Sequence, residues 1–213
     1  MKAQLHAILM GDLVGSSLSK DTRALSKSFN AEIKALNQKF KLQIESPLTI
    51  TLGDEFQGIV KDMPSAFEAA LKANLDFMEQ GNICRFVIAH GWVETKINRS
   101  SSWNMMGNGL KEARKRLSDK RDDNRFRFIV PDKQLEAALN GLGMALTKIT
   151  DAWTSHQLKI VRAATEISQT KTSLAKSLAI NRSALYKTLN SSNLKLYEYL
   201  TSSVARSLGE NIV

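Results

Sequence analysis

Cysteine is almost missing from this chain. Cys84 is the single one among 213 residues, so no disulfide framework is open to it. It lies in the apolar run Ile83-Cys84-Arg85-Phe86-Val87-Ile88, where a buried inert thiol is expected rather than a nucleophile. Histidine is scarce too: His6, His90 and His156 are scattered, with no zinc spacing and no Ser/His/Asp or Cys/His arrangement. Each reads as a satisfied core or surface histidine. No run of about 18 apolar residues is present, which excludes an ordinary membrane-spanning helix. Residues 1–4 carry no signal-peptide pattern, so a cytoplasmic protein without a membrane partner is expected. Internal repeats and low-complexity segments are absent. The three prolines, Pro47, Pro64 and Pro131, read as punctuation between elements.

What the chain does have is length and positive charge. At 213 residues it can bury a real core, with room for one domain near 150 residues and a smaller second one. The net charge is +9 and unevenly placed: residues 151–213 hold eight Lys or Arg against four acids, a balance of +4 in under a third of the chain. That favours a polyanionic partner, although a solvated lysine face gives the same balance.

In chain order, residues 5–9 read as a short strand. Leu25, Phe29, Ile33, Leu36 and Phe40 then follow at helical spacing, with Pro47 closing that segment. Residues 48–52 and 56–60 are β-rich runs around a Gly53-Asp54-Glu55 turn, a hairpin signature. A second amphipathic helix is predicted over 64–80, a strand over 85–93, an irregular loop over 97–105, a basic helix over 107–117 and a strand over 126–130. The order β-α-β-β-α-β-α-β suits an α+β fold of ferredoxin-like or palm type, an antiparallel sheet with helices on one face. Residues 133–168 look helical with a break near Gly141-Leu142-Gly143, taken as the junction between a domain at 1–140 and an all-helical one at 141–213.

Two stretches set acid beside glycine at the end of an apolar run: Gly11-Asp12-Leu13-Val14-Gly15-Ser16-Ser17 and Thr51-Leu52-Gly53-Asp54-Glu55-Phe56. An unpaired charge at such a place is costly to hold. If Asp12 and Asp54 converge from neighbouring strands, two like charges about 4 Å apart repel by about 4 kcal/mol at an effective dielectric near 20. A divalent cation turns that penalty into a site, because hard oxygen ligands suit Mg²⁺ or Mn²⁺ and the metal then holds a triphosphate. The same residues also suit an N-cap Asp after one strand and a turn Asp in a hairpin.

The first stretch resembles the strand-end motif of class III nucleotidyl cyclases. The second resembles the metal-binding hairpin of those cyclases and of the related GGDEF diguanylate cyclases. Arg85-Phe86-Val87-Ile88-Ala89-His90-Gly91 resembles the cyclase strand that follows, and the whole looks closest to SatD-type proteins, a cyclase-like domain followed by a DNA-binding tail. The resemblance implies a two-metal site held by Asp12, Asp54 and the backbone carbonyl of Leu13, with Glu55 either a third ligand or a solvated turn residue. It implies a phosphate cradle around Gly15, Ser16, Ser17 and Gly53, and attack of a 3′-hydroxyl on an α-phosphate. The chain departs from the pattern in four places: Val87 replaces an early glycine of the following strand, Lys111 stands where the family has its asparagine, and two more concern the base and the transition state. Ile50 stands where adenylyl cyclases have a base-selecting lysine. Arg114 comes one position before the arginine that steadies the transition state, so Arg114, Lys115 or Arg116 would have to place that cation, or all three form a solvated basic face. The Trp103-Asn104-Met105-Met106 turn either lines a pocket or packs.

In the tail, residues 171–189 carry the small and apolar positions of a helix-turn-helix. Ala175 allows close helix contact, Ala179 stands at the turn where glycine is usual, and Asn181 or Ser183 caps the second helix. Its outer face would show Arg182, Ser183, Tyr186, Lys187 and Asn190 to DNA. A helical hairpin for dimerisation fits the same residues. Leu194, Leu196, Tyr197, Leu200 and Val204 follow as a last amphipathic helix, packing back on the tail or forming a dimer seam. The leading expectation is a dimeric, cytoplasmic DNA-binding regulator whose cyclase-like domain binds a nucleotide triphosphate with Mg²⁺ or Mn²⁺. An active nucleotidyl cyclase releasing pyrophosphate is the alternative, and a metal-free dimerisation platform is a third reading.

Overall fold

A computed structural model describes residues 4–166 and 170–210. Residues 1–3, read above for a leader pattern, and Ile167 and Ser168, assigned above to a helix, lie outside the described residues. Among the described residues one mixed sheet contains β1 (Gln4–Leu13), β2 (Ile44–Ile50), β3 (Glu55–Val60), β4 (Cys84–Val93) and β5 (Phe126–Ile129), in the order β2-β3-β1-β4-β5. The central β1 runs antiparallel to β3 on one side and to β4 on the other, while β5 joins β4 in parallel. Parallel neighbours need a crossover, and α3 (Asn108–Leu117) supplies it.

Strand alternation divides β1 between two cores. Ala7, Leu9 and Leu13 face α1 (Thr22–Lys39) and α2 (Met63–Glu79), meeting Phe29, Ile33, Leu36, Phe67 and Phe77. Ile8 and Met10 face the other way, onto Leu110, Ala113 and Leu117 of α3. The expectation of an antiparallel sheet with helices on one face is therefore corrected: the sheet is mixed, and α3 covers the second face. Its close seat comes from Gly91 on β4 and Gly109 on α3, where a Cβ on either would lie about 2.6 Å from the other's Cα. On the first face, rings stack across the strands, with Phe86 and Phe126 centroids 5.7 Å apart. Such pairs add about 0.5–1.5 kcal/mol beyond their buried area.

Pro47 does not close α1, which ends at Lys39; it sits inside β2, where the register against β3 shifts on both sides of Ser46. β2 is an edge strand, the place where a residue without an N–H is tolerated. The other edge, β5, is covered by α4 (Lys133–Asp151). There the Asn140 amide donates to the Phe128 carbonyl at 2.9 Å and accepts from its N–H at 3.1 Å, pairing the strand as a further strand would. α4 runs unbroken through Gly141 and Gly143, which corrects the break expected there. A Cβ at Gly143 would stand 2.1 Å from the Phe126 carbonyl, so that glycine permits helix-to-strand contact and does not end the helix.

The tail comprises α5 (Ser155–Glu166), α6 (Lys171–Ser177), α7 (Arg182–Ser191) and α8 (Leu194–Glu210), and its core is continuous with that of the first face. α8 packs back on α2 and α4. Trp153 ties the two ends of the tail, donating from Nε1 to the Ser192 carbonyl at 2.7 Å and meeting Tyr197 edge-on at 5.1 Å. On α5, Arg162 bridges Asp76 and Glu79 of α2.

Candidate functional site

Because β1 is central, its carboxyl end has a neighbour on each side. Asp12 stands opposite Glu55 of β3 and Arg85 of β4, on the face that α3 covers. The hairpin tip is folded onto the same end: the Leu13 N–H donates to the Asp54 carbonyl at 3.0 Å, and the Ser16 hydroxyl donates to the Asp54 carboxylate. Gly53 makes this turn with φ +70°, and Gly15 makes the turn after β1 with φ +72°, a backbone conformation that favours glycine. Gly15 opens a single 3₁₀ turn over 16–18, with Ser17 exposed and no side chain capping it. Thus Asp12, Leu13, Gly15, Ser16, Ser17, Gly53, Asp54 and Glu55 occupy one end of the sheet.

The electrostatics of that end are unbalanced at Asp12. Burial first, then the facing Asp54 carboxylate and, less strongly, Glu55, raise it from 3.8 to about 6, against the opposing pull of Arg85 and Lys120. Its side chain is 20% exposed and meets the Arg85 guanidinium at 3.3 Å. Asp12 and Asp54 offer the hard oxygen donors that the sequence reading assigns, with the Leu13 carbonyl, to a divalent cation. Among the described residues, no group of three or more His, Cys, Asp or Glu is arranged to hold a metal ion.

Glu55 is not the solvated turn residue weighed from the sequence. It is 13% exposed, paired with Arg114 at 3.0 Å and accepts from the Thr51 hydroxyl at 3.2 Å. Arg114 also donates to Gln57 Oε1 at 3.0 Å, whereas Arg116 turns away to Asp122. Arg114 is therefore placed beside Glu55, and Arg116 is not. Arg85 and Gln57 carry no role in the sequence reading. Arg85 was legible as a charge opening a buried strand, and Gln57 as a polar residue in the inward run 56–60.

Beside Arg114 opens a cleft of about 600 Å³, lined among others by Thr51, Leu52, Gln57, Trp103, Met106 and Lys111. The Trp103 turn does both things weighed above: Trp103 and Met106 line this cleft, while Met105 is buried in the core beneath α3. The five residues expected to meet DNA lie on another element. Arg182, Ser183, Tyr186, Lys187 and Asn190 are exposed along α7, while Leu185 and Leu189 are buried beneath it. The turn before α7 closes with Ala179 at φ +52°: the Ile180 N–H donates to the Ala175 carbonyl and the Ala179 N–H to that of Lys176. Asn181, not Ser183, caps α7, accepting from the Ala184 N–H at 2.7 Å.

Comparison with known families matches residues 6–208 to the SatD family. No curated protein matches the sequence. Among solved structures, one described as a bacterial light-regulated adenylyl cyclase is similar at 14% identity and a TM-score of 0.45, over 60% of this chain and 77% of that one.

Proposed function

The chain belongs to the SatD family along nearly its whole length, body and tail together, and we propose that it is a nucleotide-responsive DNA-binding regulator. In this reading the palm-like body, the sheet with α1 to α4, binds a nucleotide triphosphate with Mg²⁺ or Mn²⁺. The tail, α5 to α8, reads DNA as a helix-turn-helix, with two copies of the chain presenting two half-sites.

The observation that carries the reading is the apposition of Asp12 and Asp54 at one partly exposed strand end, with Asp12 raised to about 6. Two carboxylates without a complete protein cage suit Mg²⁺ or Mn²⁺, which is ordinarily held by one or two carboxylates plus the phosphates of its ligand. When bound, such a cation neutralises phosphate charge and orients the triphosphate. The residues around it divide the remaining work. Ser16 and Leu13 fix Asp54, Arg85 holds Asp12, and the Gly15 turn brings backbone N–H groups to the same end for phosphate oxygens.

Arg114 meets both Glu55 and Gln57 through Nη2, which holds a half-exposed guanidinium beside Glu55. Calorimetric titration of the purified protein with each nucleoside triphosphate and Mn²⁺ tests the reading. Metal-dependent binding is expected, abolished by Asp12→Ala with Asp54→Ala, without release of pyrophosphate. Unchanged affinity in the double variant removes the metal site, and pyrophosphate release with a cyclic or linear product favours the cyclase instead.

A further inference from the structure

Two cations on facing helices of the body and the tail are each paired twice, once along their own helix and once across the gap. On α2, Lys72 bonds Asp76 one turn further on and also reaches Glu166 of α5 at 3.0 Å. On α5, Arg162 meets Glu166 one turn further on at 3.2 Å and crosses to α2, where it lies 2.8 Å from Asp76 and contacts Glu79. The Asp76 side chain is only 4% exposed, so these pairs are shielded from water at their centre. Among the described residues, four carboxylates surround the two cations, the fourth being Glu32 of α1, which faces Asp76 and accepts from Gln80 at 3.0 Å. Burial first, then the Asp76 carboxyl, raise Glu32 from 4.5 to about 7, and a proton there offsets part of the surplus acid.

The doubled pairing gives this contact two discrete arrangements. An ordinary buried ion pair resists separation because parting leaves a charge uncompensated. Here, when α5 lifts from α2, Lys72 keeps Asp76 and Arg162 keeps Glu166, each as an i,i+4 pair that a helix supports by itself. The apolar packing of α8 on α2 and α4 meanwhile holds the other end of the tail.

The cluster also lies between the two ends that a regulator has to connect. α5 packs on α2 and on α7, and Gln157 Nε2 donates to Ser191 Oγ at the end of α7 at 3.1 Å. In the body, α1 starts at Thr22, just beyond the turn at 15–18 that closes the acid end of the sheet, and carries Glu32 to Asp76.

We propose that this crossed ion cluster is the switch through which the body sets the position of α7. With Arg162 on Asp76 and Glu79, α5 is fixed to α2; with both cations on their intrahelical acids, α5 is released. The proposal rests on the nucleotide-responsive reading above and names its coupling element. What qualifies the cluster is its pair of arrangements, since a place between two sites does not by itself couple them.

The test measures affinity for a short mixed-sequence duplex with and without each nucleoside triphosphate plus Mn²⁺, in wild type, Arg162→Ala, Arg162→Lys and Glu79→Gln. In wild type a nucleotide is expected to change DNA affinity by about fivefold or more, and Arg162→Ala to reduce that change to less than about twofold. Nucleotide affinity itself should be the same in both, because Arg162 contacts α2 and not the acid end of the sheet. Arg162→Lys should keep part of the change, since an ammonium still meets one acid across the gap. A wild-type-sized change in Arg162→Ala overturns the switch and leaves the nucleotide reading standing. A nucleotide that binds wild type without altering its DNA affinity overturns the switch too, leaving two separate binding activities. If Arg162→Ala loses helix content by circular dichroism, Glu79→Gln decides: it removes one acid across the gap and spares the Arg162–Glu166 pair, so a reduced change supports the switch and an unreduced one overturns it. Failure of wild type to bind any nucleoside triphosphate, or the duplex, removes the underlying reading and the switch with it.

Discussion

Ser16, in the turn after β1, donates its hydroxyl to the carboxylate of Asp54 at the tip of the β2–β3 hairpin. Together with the Leu13 N–H on the Asp54 carbonyl, this fastens the hairpin to the very segment that carries Asp12. The two carboxylates are therefore apposed by covalent neighbours of one another's partners, and a flexible hairpin is not needed to bring them together. A ligand that takes an Asp54 oxygen displaces only a neutral hydroxyl, which is free to turn about its own bond. Asp12 is different, because its partner Arg85 is a fixed charge on the next strand.

Replacing Asp12 by Asn is expected to stabilise the fold at neutral pH. With its folded-state value near 6 against 3.8 for an unperturbed carboxyl, the native state favours the protonated acid. Ionising it costs stability progressively as pH rises from about 4 to 6, and the full cost persists above that. Asp12→Asn removes the cost, a gain on the order of 1–2 kcal/mol at pH 7 once solvent screening of the partly exposed side chain is allowed for, and none near pH 3.5. Urea denaturation across that range measures it. In the wild type, Mn²⁺-dependent nucleotide affinity should fall as pH drops through 6, because the ligand must be deprotonated; a flat affinity from pH 5 to 8 excludes Asp12 as a ligand.

Much of this was legible in local sequence because local chemistry decided it. Gly53-Asp54-Glu55 between β-rich runs specifies a turn, and the small, polar and apolar positions at 175–185 specify a helix end followed by a helix start. The second face of the sheet was not legible. Leu110, Ala113 and Leu117 form a narrow stripe in a helix otherwise rich in charge, and its seat depends on Gly91 and Gly109, which are 18 positions apart and meet only once β4 and α3 are in place. Gly143 misled for a related reason: glycine for close approach and glycine for helix termination are spelled alike. The pairing of Glu55 with Arg114 crosses 59 positions and two layers, and no periodicity encodes it.

The turn between α6 and α7 offers a stability test free of any functional premise. Ala179 is exposed and holds φ +52°, a left-handed conformation that costs a residue with a Cβ about 1 kcal/mol, while its neighbours make both backbone bonds of the helix stop. Ala179→Gly relieves that strain without removing a buried contact. The unfolded chain gains freedom in return, so a net stabilisation of about 0.5 kcal/mol is expected, read as a higher urea midpoint with an unchanged slope. A lower midpoint would mean that this turn is not left-handed in solution.

The outer face of α7 makes the last prediction specific to charge and position. Leu185 and Leu189 are buried, and this fixes the helix rotation so that Arg182, Ser183, Tyr186, Lys187 and Asn190 share the solvent side. If that side enters a groove, Lys187 meets the phosphate backbone, where each neutralised phosphate releases condensed counterions. Lys187→Ala should then weaken binding to a short mixed-sequence duplex by about 1 kcal/mol and reduce the slope of log affinity against log salt by about 0.9. Lys195, whose helix α8 begins three residues beyond the end of α7, serves as the control: Lys195→Ala removes the same charge from the chain. Equal slopes for the two variants would show that net charge alone attracts DNA, and that α7 does not lie against it.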